Sequence, residues 1–248
     1  MRSEVATLLW KELRQIPRKR SALLSAILFP LLFFVVLPAV NFAALRKGAI
    51  AAPTLGLSLP AGLMPLSGTP ELLMRDFLLP LVFTLGGLVV PAIAAAHTVI
   101  TERERHTLEL LVALPVSLEQ IVLAKLLAVL LLALGISLPL FAVDAVAIIW
   151  LRMATAADVA ALLFLLVAAL LYSTASALLV SLLAGDYRTA NNLNGAMLGP
   201  TILLTVGVLM LLPGGVARVI ALGAVFVVLA AAATVIALRA LTIERFLR

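Results

Sequence analysis

The chain has 248 residues, 64% of them hydrophobic and 12% charged, with mean hydropathy +1.23, no cysteine and a formal charge of +6. A soluble domain is about half apolar and a quarter charged, so this chain carries more apolar surface than one globular core buries, and its solvent is lipid. Lack of Cys and only two histidines, His97 and His106, exclude disulfide scaffolds, iron–sulfur clusters and the usual zinc sites; the basic residues flank apolar runs instead of forming a solvated nucleic-acid-binding face.

The first predicted element is a helix over 3–16. At 100° per residue, Val5, Ala6, Leu8, Leu9, Trp10, Leu13 and Ile16 fall on one arc and Glu4, Thr7, Lys11, Arg14 and Gln15 on the other, the pattern of a helix lying in the membrane interface. Pro17 ends it, and Arg18, Lys19 and Arg20 follow at headgroup level. Glu12 falls inside the apolar arc: its structural reading is a snorkelling or Arg-paired carboxylate, its functional one a contact to a partner protein.

Uncharged runs then give the spans. Arg20 to Arg46 encloses 25 uncharged residues, Asp76 to His97 encloses 20, Lys125 to Asp144 encloses 18 and Asp158 to Asp186 encloses 27; Gly195 to Leu212 and Val219 to Leu238 add 18 and 20. A helix needs about 20 residues to cross roughly 30 Å of hydrocarbon. Six spans are therefore expected, at about 21–45, 77–100, 120–150, 158–184, 195–212 and 217–238, with Pro213-Gly214-Gly215 as the last turn. With both termini cytoplasmic, thirteen Lys and Arg lie inside and five outside, which fixes the orientation. The connection from Arg46 to Asp76 holds four prolines and four glycines, which forbid a long straight helix, while its apolar Leu55, Leu57, Leu59, Leu63, Met64 and Leu66 favour a short external or re-entrant element packed on the helix ends over a flexible loop.

Between spans two and three, Thr101 with Glu104 and Ser117 with Gln120 have capping-box spacing. Between the two boxes a short cytoplasmic helix is expected, stopped by Pro115. Leu108, Leu111 and Val112 give it an apolar edge, while Glu102, Arg103, Glu104, Arg105 and Glu109 crowd its start. Two helices are commonly joined by about 2 to 8 residues, and this longer segment reads either as a solvated interfacial helix or as a docking element for a cytoplasmic partner.

Within the membrane, Asp144 is the ionisable residue deepest in apolar surroundings, a candidate either for a translocation path or for a pair with Arg152 or Arg46. His97 lies a turn before Thr101, where a neutral imidazole bonds a neighbouring helix or handles a proton. Gly195 and Gly199 form a GxxxG at the start of span five, permitting close helix approach, and Pro200 and Pro139 should bend their helices.

In the 101–120 segment the sequence resembles the permease subunits of ABC transporters of the type-2 exporter class. Glu102-Arg103-Glu104, Thr107-Leu108-Glu109, Leu111, Pro115 and Lys125 match that family's Glu-Arg-Glu, Gly-Thr-Leu-Glu, Leu, Pro and Lys pattern, with His106 where the family commonly has Gly. The resemblance implies a single all-α polytopic domain over 1–248: six transmembrane helices, an N-terminal interfacial helix and a cytoplasmic coupling helix between spans two and three. It implies that the coupling helix docks on a separate ATP-binding subunit, against which the interfacial helix carrying Trp10, Glu12 and Arg14 also lies. It further implies a second permease as homodimer or pseudo-dimer partner, multi-pass residence in the cell inner membrane, and export. No Gly-x-x-x-x-Gly-Lys-[Ser/Thr] loop occurs, so the chain is not expected to be an enzyme or to hold a cofactor or metal; ATP and Mg are expected in the partner.

The rival readings are an ion-coupled carrier or channel and an intramembrane protease. A carrier would usually show more intramembrane polar residues or an inverted repeat. For an aspartyl protease, Asp144 lies nineteen residues beyond Lys125, about 28 Å at 1.5 Å per residue, at the opposite end of the membrane from Asp186.

Overall fold

The computed structural model describes residues 28, 30–46, 70–104, 118–183 and 187–240. The interfacial helix expected over 3–16, most of the 46–76 connection and residues 105–117 lie outside the described residues. Every regular element among the described residues is helical. A π-helical turn, Leu32–Val36, leads into α1, Leu37–Arg46. The short α2, Pro70–Leu73, passes through a second π turn, Met74–Leu78, into α3, Leu79–Glu104. Then follow α4, Leu118–Trp150, α5, Ala156–Leu183, α6, Tyr187–Leu211, and α7, Val216–Ala240.

Five stretches are long and apolar enough to cross a membrane: Glu71–Ala92, Leu123–Trp150, Ala156–Ser181, Arg188–Leu211 and Val216–Arg239. The span expected over 21–45 falls only partly within the described residues. Two helices start ahead of the apolar runs that announce them. The second spanning stretch of sequence begins at Glu71 rather than Asp76, and α6 begins at Tyr187, eight residues before Gly195. Charged and amide side chains interrupt a hydropathy count, but they do not interrupt backbone hydrogen bonding at a helix end. Likewise Thr101 and Glu104, spaced to open a new helix, form the last turn of α3. A capping pair acts only where the chain leaves helix just before it, and here it does not.

Both π turns have a local cause. In an α-helix, Pro38 and Pro80 would leave the carbonyls of Phe34 and Asp76, four residues earlier, without an N–H donor and would press the ring on them. Each of those carbonyls sits inside a π turn, where the chain widens to i+5 bonding, as in the Leu37 N–H to Leu32 and Leu79 N–H to Met74 bonds.

Helix α5 is the axis of the fold, packed along both α3 and α7. Small residues bring the helices together. A Cβ on Gly87 would stand 2.8 Å from the Ala169 Cβ and 3.3 Å from the Leu166 carbonyl, and one on Gly223 would meet the Phe164 ring at 2.6 Å. Phe34 stacks on Phe83, and Phe83 meets Phe141 edge-on at 5.1 Å, tying the first π turn, α3 and α4 into one aromatic column. Two thirds of the α5 span is buried, against 17% of α6, so α6 offers most of its surface to its surroundings.

Candidate functional site

At one end of the bundle, where α2 starts and the α4–α5 and α6–α7 connections lie, charged groups lock the helices together. The α4–α5 connection is a Schellman turn: Met153 N–H donates to the Ile148 carbonyl (3.1 Å) and Arg152 N–H to the Ile149 carbonyl (3.0 Å), with Arg152 at φ 54°. Thr155 and Asp158 then form a capping box at the start of α5. The Thr155 N–H donates to Asp158 Oδ2 (2.8 Å) and the Asp158 N–H to Thr155 Oγ1 (3.3 Å). The other carboxylate oxygen of Asp158 accepts from Arg75 Nη2 at 2.7 Å, which ties α5 to the second π turn.

Arg218, in the first turn of α7 and only 2% exposed, is the second lock. Its guanidinium donates to the carbonyls of Leu209, Leu212 and Asp76. Leu209 belongs to the last turn of α6, whose carbonyls have no donor within the helix, and the Asp76 carbonyl is the one that Pro80 deprives of an α-helical partner. Gly214 permits the approach, since a Cβ there would lie 2.5 Å from Asp76 Oδ2; Gly215, at φ +109°, makes the turn. These arginines entered the sequence reading only as charges at span ends. Thr155-Ala-Ala-Asp158 carried visible capping-box spacing, whereas nothing local to Arg218 announces a carbonyl partner 142 residues away.

Asp144 sits on the buried stripe of α4 with Ala133, Ser137, Phe141 and Ile148, and is 5% exposed. Its Oδ2 and the Ser137 Oγ are buried without hydrogen-bond partners among the described residues. Arg152, its expected partner, is exposed beyond the helix end, and the side chain of Arg46 lies outside the described residues. Trp150, 78% exposed, faces outward from the last turn of α4.

Gly195, Gly199 and Pro200 lie on the exposed side of α6, and a Cβ on either glycine would meet nothing within 4 Å. The GxxxG is therefore not used against another described element of this chain. The helix continues through Pro200, as α4 does through Pro139. His97 is placed as a residue of α3, and Glu102, Arg103 and Glu104 as its last turn; their side chains lie outside the described residues. Arg105, Thr107, Leu108, Glu109, Leu111 and Pro115, and Trp10, Glu12 and Arg14, lie outside them altogether.

A crevice runs between α3, α5 and α6. Its polar lining among the described residues is Tyr172, Ser173, Ser176, Asn194 and Thr201, with no charged side chain among them. Ser173 Oγ donates to the Leu88 carbonyl, Ser176 Oγ to the Ser173 carbonyl (3.1 Å) and Thr201 Oγ1 to the Met197 carbonyl (2.7 Å). With the Thr201 proton so placed, the Tyr172 hydroxyl donates to Thr201 Oγ1 at 3.2 Å. Asn194, 9% exposed, has its Nδ2 buried without a partner among the described residues. Among the described residues no cluster of three or more His, Asp or Glu has metal-binding geometry.

Five long apolar helices, four of them around the central α5, with buried polar groups between them, define a polytopic helical membrane protein. Within that class, the model of the ABC-2 family transporter proteins matches residues 6–224, and the chain belongs to that family. It is thus a membrane permease component of an ABC transporter. No curated protein matches the chain.

Proposed function

We propose that this chain is the transmembrane subunit of an ATP-driven exporter, forming the translocation path and coupling to separate ATP-binding subunits. The family match carries the reading, because it starts at residue 6 and so takes in most of the amphipathic N-terminal segment and all of the 101–120 segment. The span over 21–45 joins the five spanning stretches to give six, and the split of thirteen basic residues against five puts both termini in the cytoplasm of a cell whose inner membrane holds the protein. In this reading Glu102, Arg103, Glu104, Arg105, Thr107, Leu108, Glu109, Leu111 and Pro115 form the coupling helix. ATP and Mg are held by the partner, and the open α6 face around Gly195 and Gly199 meets a second permease. Asp144 lines the path.

Affinity capture of the full-length chain from its native membrane should retain a protein bearing a Gly-x-x-x-x-Gly-Lys-[Ser/Thr] loop. Replacing Glu102 and Glu109 together by Lys should lower its recovery by about fivefold, the size of one to two lost charge contacts, while membrane insertion is unchanged. Undiminished recovery overturns the assignment of the coupling helix. The buried Asp144 Oδ2, without a hydrogen-bond partner among the described residues, is the observation that favours an ion-coupled carrier; transport without ATP that Asp144→Asn abolishes would establish that reading instead.

A further inference from the structure

The crevice between α3, α5 and α6 has a chemical bias that its hydroxyls conceal. Of its five polar side chains, four direct their protons to acceptors inside the protein, three of them to backbone carbonyls. The amide of Asn194 alone keeps an uncommitted donor, and it is buried. In hydrocarbon an unmet donor is costly, so the site calls for an acceptor. With no charged side chain among the described lining residues, that acceptor is neutral.

Position narrows the choice. Asn194 directly precedes the apolar run from Gly195 to Leu212, which places it at the edge of the hydrocarbon. The ester carbonyls of phospholipids stand at that level. Met197, 36% exposed, and the neighbouring Leu193 line the exposed side of α6 at this level, with apolar surface for an acyl chain to follow. The crevice is narrow, with room for one water-sized group such as a carbonyl oxygen, so an acyl chain would lie outside it along the α6 surface.

We propose that this crevice binds a bilayer phospholipid through one acyl ester, whose carbonyl oxygen accepts from Asn194 Nδ2 while the acyl chain lies along Leu193 and Met197. The inference needs only that the chain spans a bilayer, and its readout is lipid retention, so it stands or falls separately from ATP coupling.

The test is native mass spectrometry of the full-length chain released from nanodiscs of diester phosphatidylglycerol or its diether analogue with matched chains, which lacks the carbonyl. One diester lipid per chain should be retained about fivefold more strongly than the diether lipid, a net hydrogen bond's worth. Asn194→Leu should erase that preference and Asn194→Gln, which keeps an amide donor, should preserve most of it. Equal retention of the two lipids by the unmodified chain overturns the proposal without reliance on the folding of Asn194→Leu.

Discussion

Replacing Arg218 by Met keeps the length and apolar stem of the side chain and removes only its donors. Three carbonyls lose a charge-assisted bond: Leu209 and Leu212 at the end of α6, and Asp76 in the second π turn. At least two have no backbone donor to fall back on, Leu209 because it ends a helix and Asp76 because Pro80 follows four residues later. Each orphaned buried carbonyl costs about 1–3 kcal/mol. Against this, the variant no longer buries a guanidinium whose Nε finds no partner, and relief of that desolvation offsets part of the loss. The net expectation is a destabilisation of about 3 kcal/mol, or a fall in Tm of about 6–12 °C for a chain of this size. Heating the purified protein in detergent micelles, followed by size-exclusion chromatography of what stays monodisperse, measures it. Arg218→Lys should lose about half as much, because one ammonium does not reach carbonyls on two segments at once. Arg239→Met, at an exposed position in the last turn of the same helix, is the control and should leave Tm unchanged. If Arg218→Met melts within 2 °C of the parent, about 1 kcal/mol or less, the carbonyl lock is not a stabilising element and the reasoning fails.

Three further outcomes follow from the packing. Gly86→Ala should cost about 1–3 kcal/mol, since its Cβ would meet the fully buried Phe34 ring at 2.5 Å, whereas Gly223→Ala should cost less because the ring it meets, that of Phe164, is 40% exposed and free to turn outward; paired melting curves separate them. Arg152→Gly should stabilise by about 0.5–1 kcal/mol, relieving a left-handed conformation at the Schellman position, and a lower Tm would show that the arginine side chain matters more than its backbone. Gly199→Leu should leave the melting of the isolated chain unchanged, because nothing lies within 4 Å of the added Cβ, yet weaken self-association measured by crosslinking through Gly195→Cys; intact crosslinking removes α6 from the dimer interface.

What was legible in the sequence was the part governed by local, repeating physics. Long uncharged runs mark helices that cross lipid because backbone groups there must bond within the segment, and all five spanning stretches overlap runs that a simple charge count finds. The Pro213-Gly214-Gly215 turn was legible for the same reason, since glycine at φ +109° is a residue-level property. Helix ends were less so. Tyr187 to Asn194 is polar enough to look like a loop, yet it is the first two turns of α6, because Asn and Thr side chains interrupt hydropathy without interrupting the backbone. Least legible were the buried polar groups, whose meaning depends on partners far along the chain. Arg218 reads as an outer-loop charge until the Asp76 carbonyl is beside it, and Asn194 reads as a loop amide until four neighbouring hydroxyls are seen to be committed elsewhere. The two cases have opposite consequences. A donor that finds three carbonyls fixes the end of the bundle, while a buried donor that finds none among the described residues leaves a place for something that is not protein. In a chain with so few charges, the difference between met and unmet hydrogen-bonding capacity separates the parts that hold the helices together from the parts open to a ligand.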